Sequence, residues 1–283
     1  MIGPHFGKKI IWLSRNFLNL CIVSIRLLFY SLRHPGKLSQ LAFSIFSTIN
    51  EFYQATHGRL HDFTQTNVFR DIQEKQIFAV CNLFNADSKV ARSMETQILA
   101  TLMRYFSPRM IFEVGTYNGF STSHFAYNSP EDARIYTLDL PADYDLMAGQ
   151  PEKLKKYSYD DLQVVELSKA NINKRLYRGH TCGRKITELF GDSLNFDFSP
   201  YYGKMDFIFI DGCHALPYVH SDTTNALKML SPRGVIVWHD FDYIIHRDVF
   251  KYLNRLVRTY PIYSIPHTRL AIYSPLISER QAR

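Results

Sequence analysis

Residues 110–121 read Met-Ile-Phe-Glu-Val-Gly-Thr-Tyr-Asn-Gly-Phe-Ser. The five residues Met110 to Val114 are apolar except for Glu113 and break into Gly115, a run whose length predicts a buried strand ending in a tight turn. Glycine at 115 lets the backbone turn sharply and come close to a ligand, and Gly119 permits tight packing of a helix over Gly119–Tyr127. Two glycines in this spacing are a weak signal alone. The second strand, Ile135–Leu138, strengthens it by closing on Asp139, where a carboxylate can accept hydrogen bonds from ribose hydroxyls. A dinucleotide would want a further glycine two residues after Gly115, and Tyr117 stands there.

Working outward, helical periodicity over Met94–Phe106 stops at Ser107-Pro108. Downstream, strands over Lys185–Phe190, Phe207–Ile210 and Val235–Trp238 are interleaved with helices over Tyr218–Leu230 and Asp248–Arg258. Alternating strands and helices imply an α/β fold, a Rossmann-like doubly wound sheet that is mostly parallel, with ligand sites beyond the carboxyl ends of the strands. The last two strands, Pro261–Ile265 and Leu270–Tyr273, are joined by four residues. A parallel crossover needs a dozen or more, so this terminal hairpin is antiparallel.

Two polar clusters leave apolar strands at their carboxyl ends, Asp211-Gly-Cys-His214 and His239-Asp240-Phe-Asp242. The topology brings both to one crevice. A pair of buried aspartates is costly without protonation or a cation, and two carboxylates with an imidazole can hold a divalent ion. The spacing of Asp211 and His214 sets them about one helical turn apart, close enough to act on one bound hydroxyl. Capping or purely structural roles for these groups stay open, and Asp242 reads as a supporting or capping residue.

The stretch from Glu113 to Ser121 resembles the first motif of the class I, S-adenosylmethionine-dependent O-methyltransferases, including the catechol and caffeoyl-CoA types, and is closer still to the group containing macrocin O-methyltransferase and cephalosporin hydroxylase-like proteins. The resemblance covers roughly residues 94–275. It implies that Glu113, Gly115, Tyr117, Gly119 and Ser121 surround the methionine part of the cofactor, that Asp139 holds the ribose, and that Asp192 and Ser193 meet the adenine. It implies further that Asp211 stands at the methyl end, that Asp211, His239 and Asp240 hold a divalent ion, and that His214 removes the acceptor's proton. His239 departs from the pattern, since a carboxylate or amide usually stands there. Histidine suits manganese, iron or zinc as well as it tolerates magnesium, so the metal's identity stays open.

The acceptor implied is a small molecule, a sugar or a lipid-linked group. Transfer to nitrogen without a metal, or a non-catalytic assembly role for the same fold, are the alternatives. The residues 140–184 exceed what a minimal crossover needs, and read either as a lid bearing Tyr144, Tyr157 and Tyr159 or as a solvated helix over Val164–Leu176.

The chain has 283 residues and a net charge of +7. Six of those positive charges come from Lys8, Lys9, Arg15, Arg26, Arg33 and Lys37, and no acid precedes Glu51. The remainder is near neutral, which argues against a nucleic-acid surface. On a helix, Lys8, Arg15, Asn19, Arg26, Arg33 and Lys37 form a stripe roughly 40° wide on an apolar cylinder. Contact with a membrane surface, packing on the catalytic domain or a partner subunit, and a targeting peptide all fit this pattern. The domains expected are a basic amphipathic segment over 1–55, a helical linker over 56–93 with a helix over Asp71–Phe84, and a catalytic domain over 94–283. Cys21, Cys81, Cys182 and Cys213 show no metal-binding spacing, which fits reduced thiols in a cytoplasmic protein, peripheral to a membrane if the basic stripe binds one.

Overall fold

Strand β2 (Met110–Val114) lies near the centre of the sheet and is the point from which the chain winds both ways. The structure is a computed structural model. It describes residues 58–72, 75–77, 93–145 and 159–278, so the basic segment over 1–55, the stretch over 78–92, and Tyr157 lie outside the described residues. The chain divides into units 1–56 and 57–283, and everything described belongs to the second.

The eight strands run in the order β1-β7-β8-β6-β5-β2-β3-β4. On one side of β2 lie β3 (Arg134–Asp139) and β4 (Ile186–Phe190), and on the other β5 (Met205–Ile210) and β6 (Leu230–Trp238), all parallel. Strand order therefore reverses between β2 and β5, and a crevice opens at their carboxyl ends. Strand β8 (Ala271–Tyr273) inserts antiparallel between β6 and β7 (Tyr263–Ser264), as the short connection requires. Two residues escape the sequence reading: His61 and Asp62 form an edge strand, β1, parallel to β7.

Helix α1 spans Asn67–Ile72, which includes the first two residues of the helix expected over Asp71–Phe84, whereas Lys75–Ile77 are not helical. The Thr66 hydroxyl accepts from the Phe69 amide at 3.2 Å, a cap that starts the helix several residues early. Helix α2 (Ser93–Phe106) buries Leu99, Leu102 and Met103 in the core, yet also carries Glu95 at 0% exposure. Helices α3 (Phe120–Asn128), α4 (Tyr159–Asn171), α5 (Leu216–Met229) and α6 (Arg247–Leu256) complete the set. Strand interiors such as Ile111, Phe112, Phe207, Phe209 and Ile236 are wholly buried, as strands covered on both faces must be. Among the described residues, no helix is long and apolar enough to cross a membrane.

Candidate active site

Register decides which side chains meet. Val114 pairs with Leu138 and Ile210, and Ile210 with Trp238, so Gly115, Asp139, Asp211 and His239 stand in a row along the carboxyl edge. Gly115 has φ +94°, and a Cβ there would lie 2.0 Å from the Asp211 carbonyl oxygen. No side chain fits, so the glycine turn is pressed directly against the strand that carries the acceptor-end acid. Gly119, at φ +77° just before α3, is closed off similarly by the Tyr177 ring, 2.5 Å from where a Cβ would be.

Glu113 is wholly buried. Its carboxylate accepts from Ser121 Oγ at 2.5 Å, from Thr137 Oγ1 at 2.6 Å and from the Thr122 hydroxyl. Burial outweighs these three hydroxyls and pushes its pKa up to about 7. Glu113 and Ser121 thus bind each other and brace the turn from beneath.

Asp139 accepts on Oδ2 from the Tyr117 amide (3.0 Å), Ser168 Oγ (2.5 Å) and Arg175 Nη2 (2.9 Å), and on Oδ1 from the Leu140 amide (2.8 Å). Burial raises its pKa, against the pull of Ser168 and Arg175. Arg175 has no exposed side-chain surface, and also donates to Glu188 at 3.1 Å. Glu188 in turn accepts from Tyr177 and Arg178. Ser168 and Arg175 come from the long connection after β3, so that segment closes onto the ribose-end acid instead of lying free in solvent. Asp192 accepts from the Tyr144 and Tyr218 hydroxyls at 2.8 and 3.3 Å. Below it, burial pushes Asp222 up to about 7, with Ser193 acting against the rise and Asp192 adding to it.

The acceptor end is built differently. His239, on the residue after β6, points Nδ1 at Asp211 Oδ1 (3.1 Å) and Asp240 Oδ2 (3.0 Å) and Nε2 at Glu95 Oε2 (3.2 Å). The buried Nδ1 is aligned with neither carboxylate for a hydrogen bond. Burial opposes charge on this ring, yet Asp211 and Asp240 prevail and hold its pKa well above the ordinary histidine value. Asp240 adopts φ +57° and gathers His214 Nε2 (2.8 Å) on Oδ2, with Arg269 Nη1 (2.6 Å) and His246 Nδ1 (3.3 Å) on Oδ1. Burial would raise the Asp240 pKa, but His239, His246, Arg269 and His214 together pull it well below the carboxylate norm. Glu95 sits at about 2, since His239 and Arg269 overcome its burial. A small cleft here is lined by Asp211, Cys213, His214, Trp238, His239 and Asp240. Asp242 caps the following turn, accepting from the Ile244 and Ile245 amides at 2.7 and 2.9 Å.

Asp211, His214, His239 and Asp240 therefore meet. Glu95, His246 and Arg269 join them without having been singled out in the sequence; Glu95 carried the one available signal, an acid on the buried face of an amphipathic helix.

A mostly parallel sheet with one reversed strand set between two neighbours at its far side, and acids at the tips flanking a glycine turn, defines the class I methyltransferase architecture. Residues 112–241, just under half the chain, match the family described as a methyltransferase domain. That stretch runs from within β2 to just beyond β6, with the turns between them. No curated protein matches the chain. Among solved structures, the SAH-bound methyltransferase PaMTH1 of Podospora anserina is 15% identical, covering 76% of this chain and 94% of that one at a TM-score of 0.46. The O-methyltransferase TomG of Streptomyces achromogenes, in complex with SAM, is 14% identical, with 82% and 98% covered and a TM-score of 0.43. An O-methyltransferase of Bacillus cereus, in complex with SAH, is 13% identical, with 82% and 99% covered and a TM-score of 0.45. Similarity this distant bears on nothing beyond the fold.

Proposed function

We propose that the protein transfers a methyl group from S-adenosylmethionine to a hydroxyl of a small-molecule, sugar or lipid-linked acceptor. The observation that carries this reading is the contact of the Gly115 turn with the Asp211 backbone, which joins a nucleotide-binding turn to a cluster of acids and imidazoles. The cofactor supplies an already electrophilic methyl on its sulfonium, leaving alignment and acceptor deprotonation to the protein. Gly115 and Tyr117 would face its methionine part. Asp139 would hold the ribose through Oδ1, which accepts only one hydrogen bond among the described residues. Asp192 and Ser193 would meet the adenine.

The residues also fit a divalent ion. His239 Nδ1 is a buried nitrogen without a hydrogen bond, about 3 Å from two carboxylates, the separation that ligands sharing an ion at roughly 2.1 Å adopt. Its Nε2 faces Glu95, the partner that presents Nδ1 as a ligand. Asp211, His239 and Asp240 would hold the ion, which would supply Lewis acidity toward the acceptor oxygen. His214, oriented by Asp240, would take the acceptor's proton. Transfer to nitrogen is the rival chemistry, and contact of residues 8–37 with a membrane surface belongs to the same proposal.

Calorimetry with S-adenosylhomocysteine tests the core of the reading. Saturable binding that Asp139→Asn weakens is expected. A folded protein with no affinity for either S-adenosylhomocysteine or S-adenosylmethionine would overturn it.

A further inference from the structure

We propose that His214, Asp240 and His246 form a second cation site, distinct from the Asp211, His239 and Asp240 set and selective for a borderline transition ion such as zinc or cobalt(II). His246 carries the inference. It is 4% exposed, and neither ring nitrogen makes a hydrogen bond among the described residues. A buried imidazole left so is costly unless something else uses its lone pair.

Its Nδ1 points at Asp240 Oδ1 from 3.3 Å, while His214 Nε2 lies 2.8 Å from Oδ2. The three ligand atoms all lie within 4.8 Å of one another. Ligands about 2.1 Å from one ion, at right angles or tetrahedral, stand roughly 3.0–3.5 Å apart, so small movements would complete the set. The two rings lie close and tilted, 3.9 Å between centroids and 33° between planes, each with one nitrogen near the same carboxylate. His246 is the residue immediately before α6, and Asp240 lies two residues beyond the end of β6. Arg269 shares Oδ1 and offsets part of the charge, which favours ligands that bind through nitrogen over the all-oxygen shell magnesium prefers. His214 borders the cleft, leaving coordination positions open on that side.

The consequence for catalysis rests on the methyltransferase reading: an ion here occupies the nitrogen of His214 that Asp240 orients and removes that ring as a base. Zinc would therefore inhibit while magnesium would not. Binding itself does not depend on that reading.

The full-length protein, stripped with a chelator, is titrated with cobalt(II) and with magnesium by calorimetry, and X-ray absorption counts the imidazoles on cobalt. His239→Gln, which lacks the nitrogen ligand of the first position, isolates the second. Cobalt should bind about 100-fold more tightly than magnesium, with two imidazoles per ion in His239→Gln. Adding His246→Gln should weaken cobalt about 100-fold and reduce the count to one. One imidazole in His239→Gln, or affinity unmoved by His246→Gln, overturns the site. Should His246→Gln not fold, His214→Gln must lower the count in its place, and an unchanged count sinks the proposal. S-adenosylhomocysteine binding by the same samples separates the two readings: its loss with cobalt coordination intact removes the methyltransferase reading alone, and the converse removes only this site.

Discussion

The two halves of the crevice hold their carboxylates in opposite ways. At the nucleotide end, Glu113 and Asp139 are enclosed by hydroxyls, backbone amides and one buried guanidinium, of which Arg175 Nε alone lacks a partner among the described residues. At the acceptor end, Asp211 and Asp240 face three imidazoles, and among the described residues His239 Nδ1 and both nitrogens of His246 find no hydrogen-bond partner. A saturated network fixes a shape; an unsaturated one of good ligands is suited to take up something else. The first half is suited to keep one shape around a bound cofactor, the second to take up a further ligand.

That contrast can be broken most forcefully where the halves touch. Gly115→Ala sets a methyl group into the Asp211 carbonyl and forces a left-handed backbone on alanine. We expect a loss of about 4 kcal/mol or more in denaturant unfolding, together with loss of S-adenosylhomocysteine binding. A variant as stable as the wild type would show that the halves are not joined there.

Arg175→Met should cost about 3 kcal/mol, because it leaves the half-buried Asp139 and Glu188 without their shared cation. Calorimetry on the same variant should show little change in ion affinity if the two ends act independently. On the other side, Glu95→Gln should weaken manganese binding on the order of 10-fold to 100-fold, since it removes the anion that orients His239. Calorimetry giving an unchanged affinity would reduce Glu95 to a packing role.

The smallest effect concerns pH. Burial pushes the folded Asp222 up to about 7, against roughly 3.9 for an ordinary aspartate, so its proton is retained on folding between those values. Whatever stability this acid contributes is complete below about pH 4 and is lost as pH rises through 7. Asp222→Asn has no proton to lose, so its stability relative to wild type should rise by about 1–2 kcal/mol between pH 4.5 and 7.5. A pH-independent difference in urea midpoints would mean that Asp222 ionises in the fold as it does in water.

The strands, the glycine turn and the meeting of Asp211, His214, His239 and Asp240 were legible in the sequence, because each follows from a local pattern and one topological rule. Glu95 and Arg269 were not. They meet across 174 positions, and only the reversed β8 brings the turn carrying Arg269 over α2. His246 gave no signal because a lone histidine before a helix has many structural uses. Arg175 and Ser168 were hidden in a connection whose length suggested a lid, with no periodicity to show which of its residues turn inward. The edge strand β1 is two residues long, below what alternation can reveal.

Trp238 is 1% exposed, lines the acceptor-end cleft and donates its indole N–H to Thr223 Oγ1 at 3.0 Å. The chain has one other tryptophan, Trp12. Replacing that residue with phenylalanine would leave an intrinsic fluorophore one position from His239, so occupancy of the crevice could be followed by emission in real time, before any acceptor has been identified.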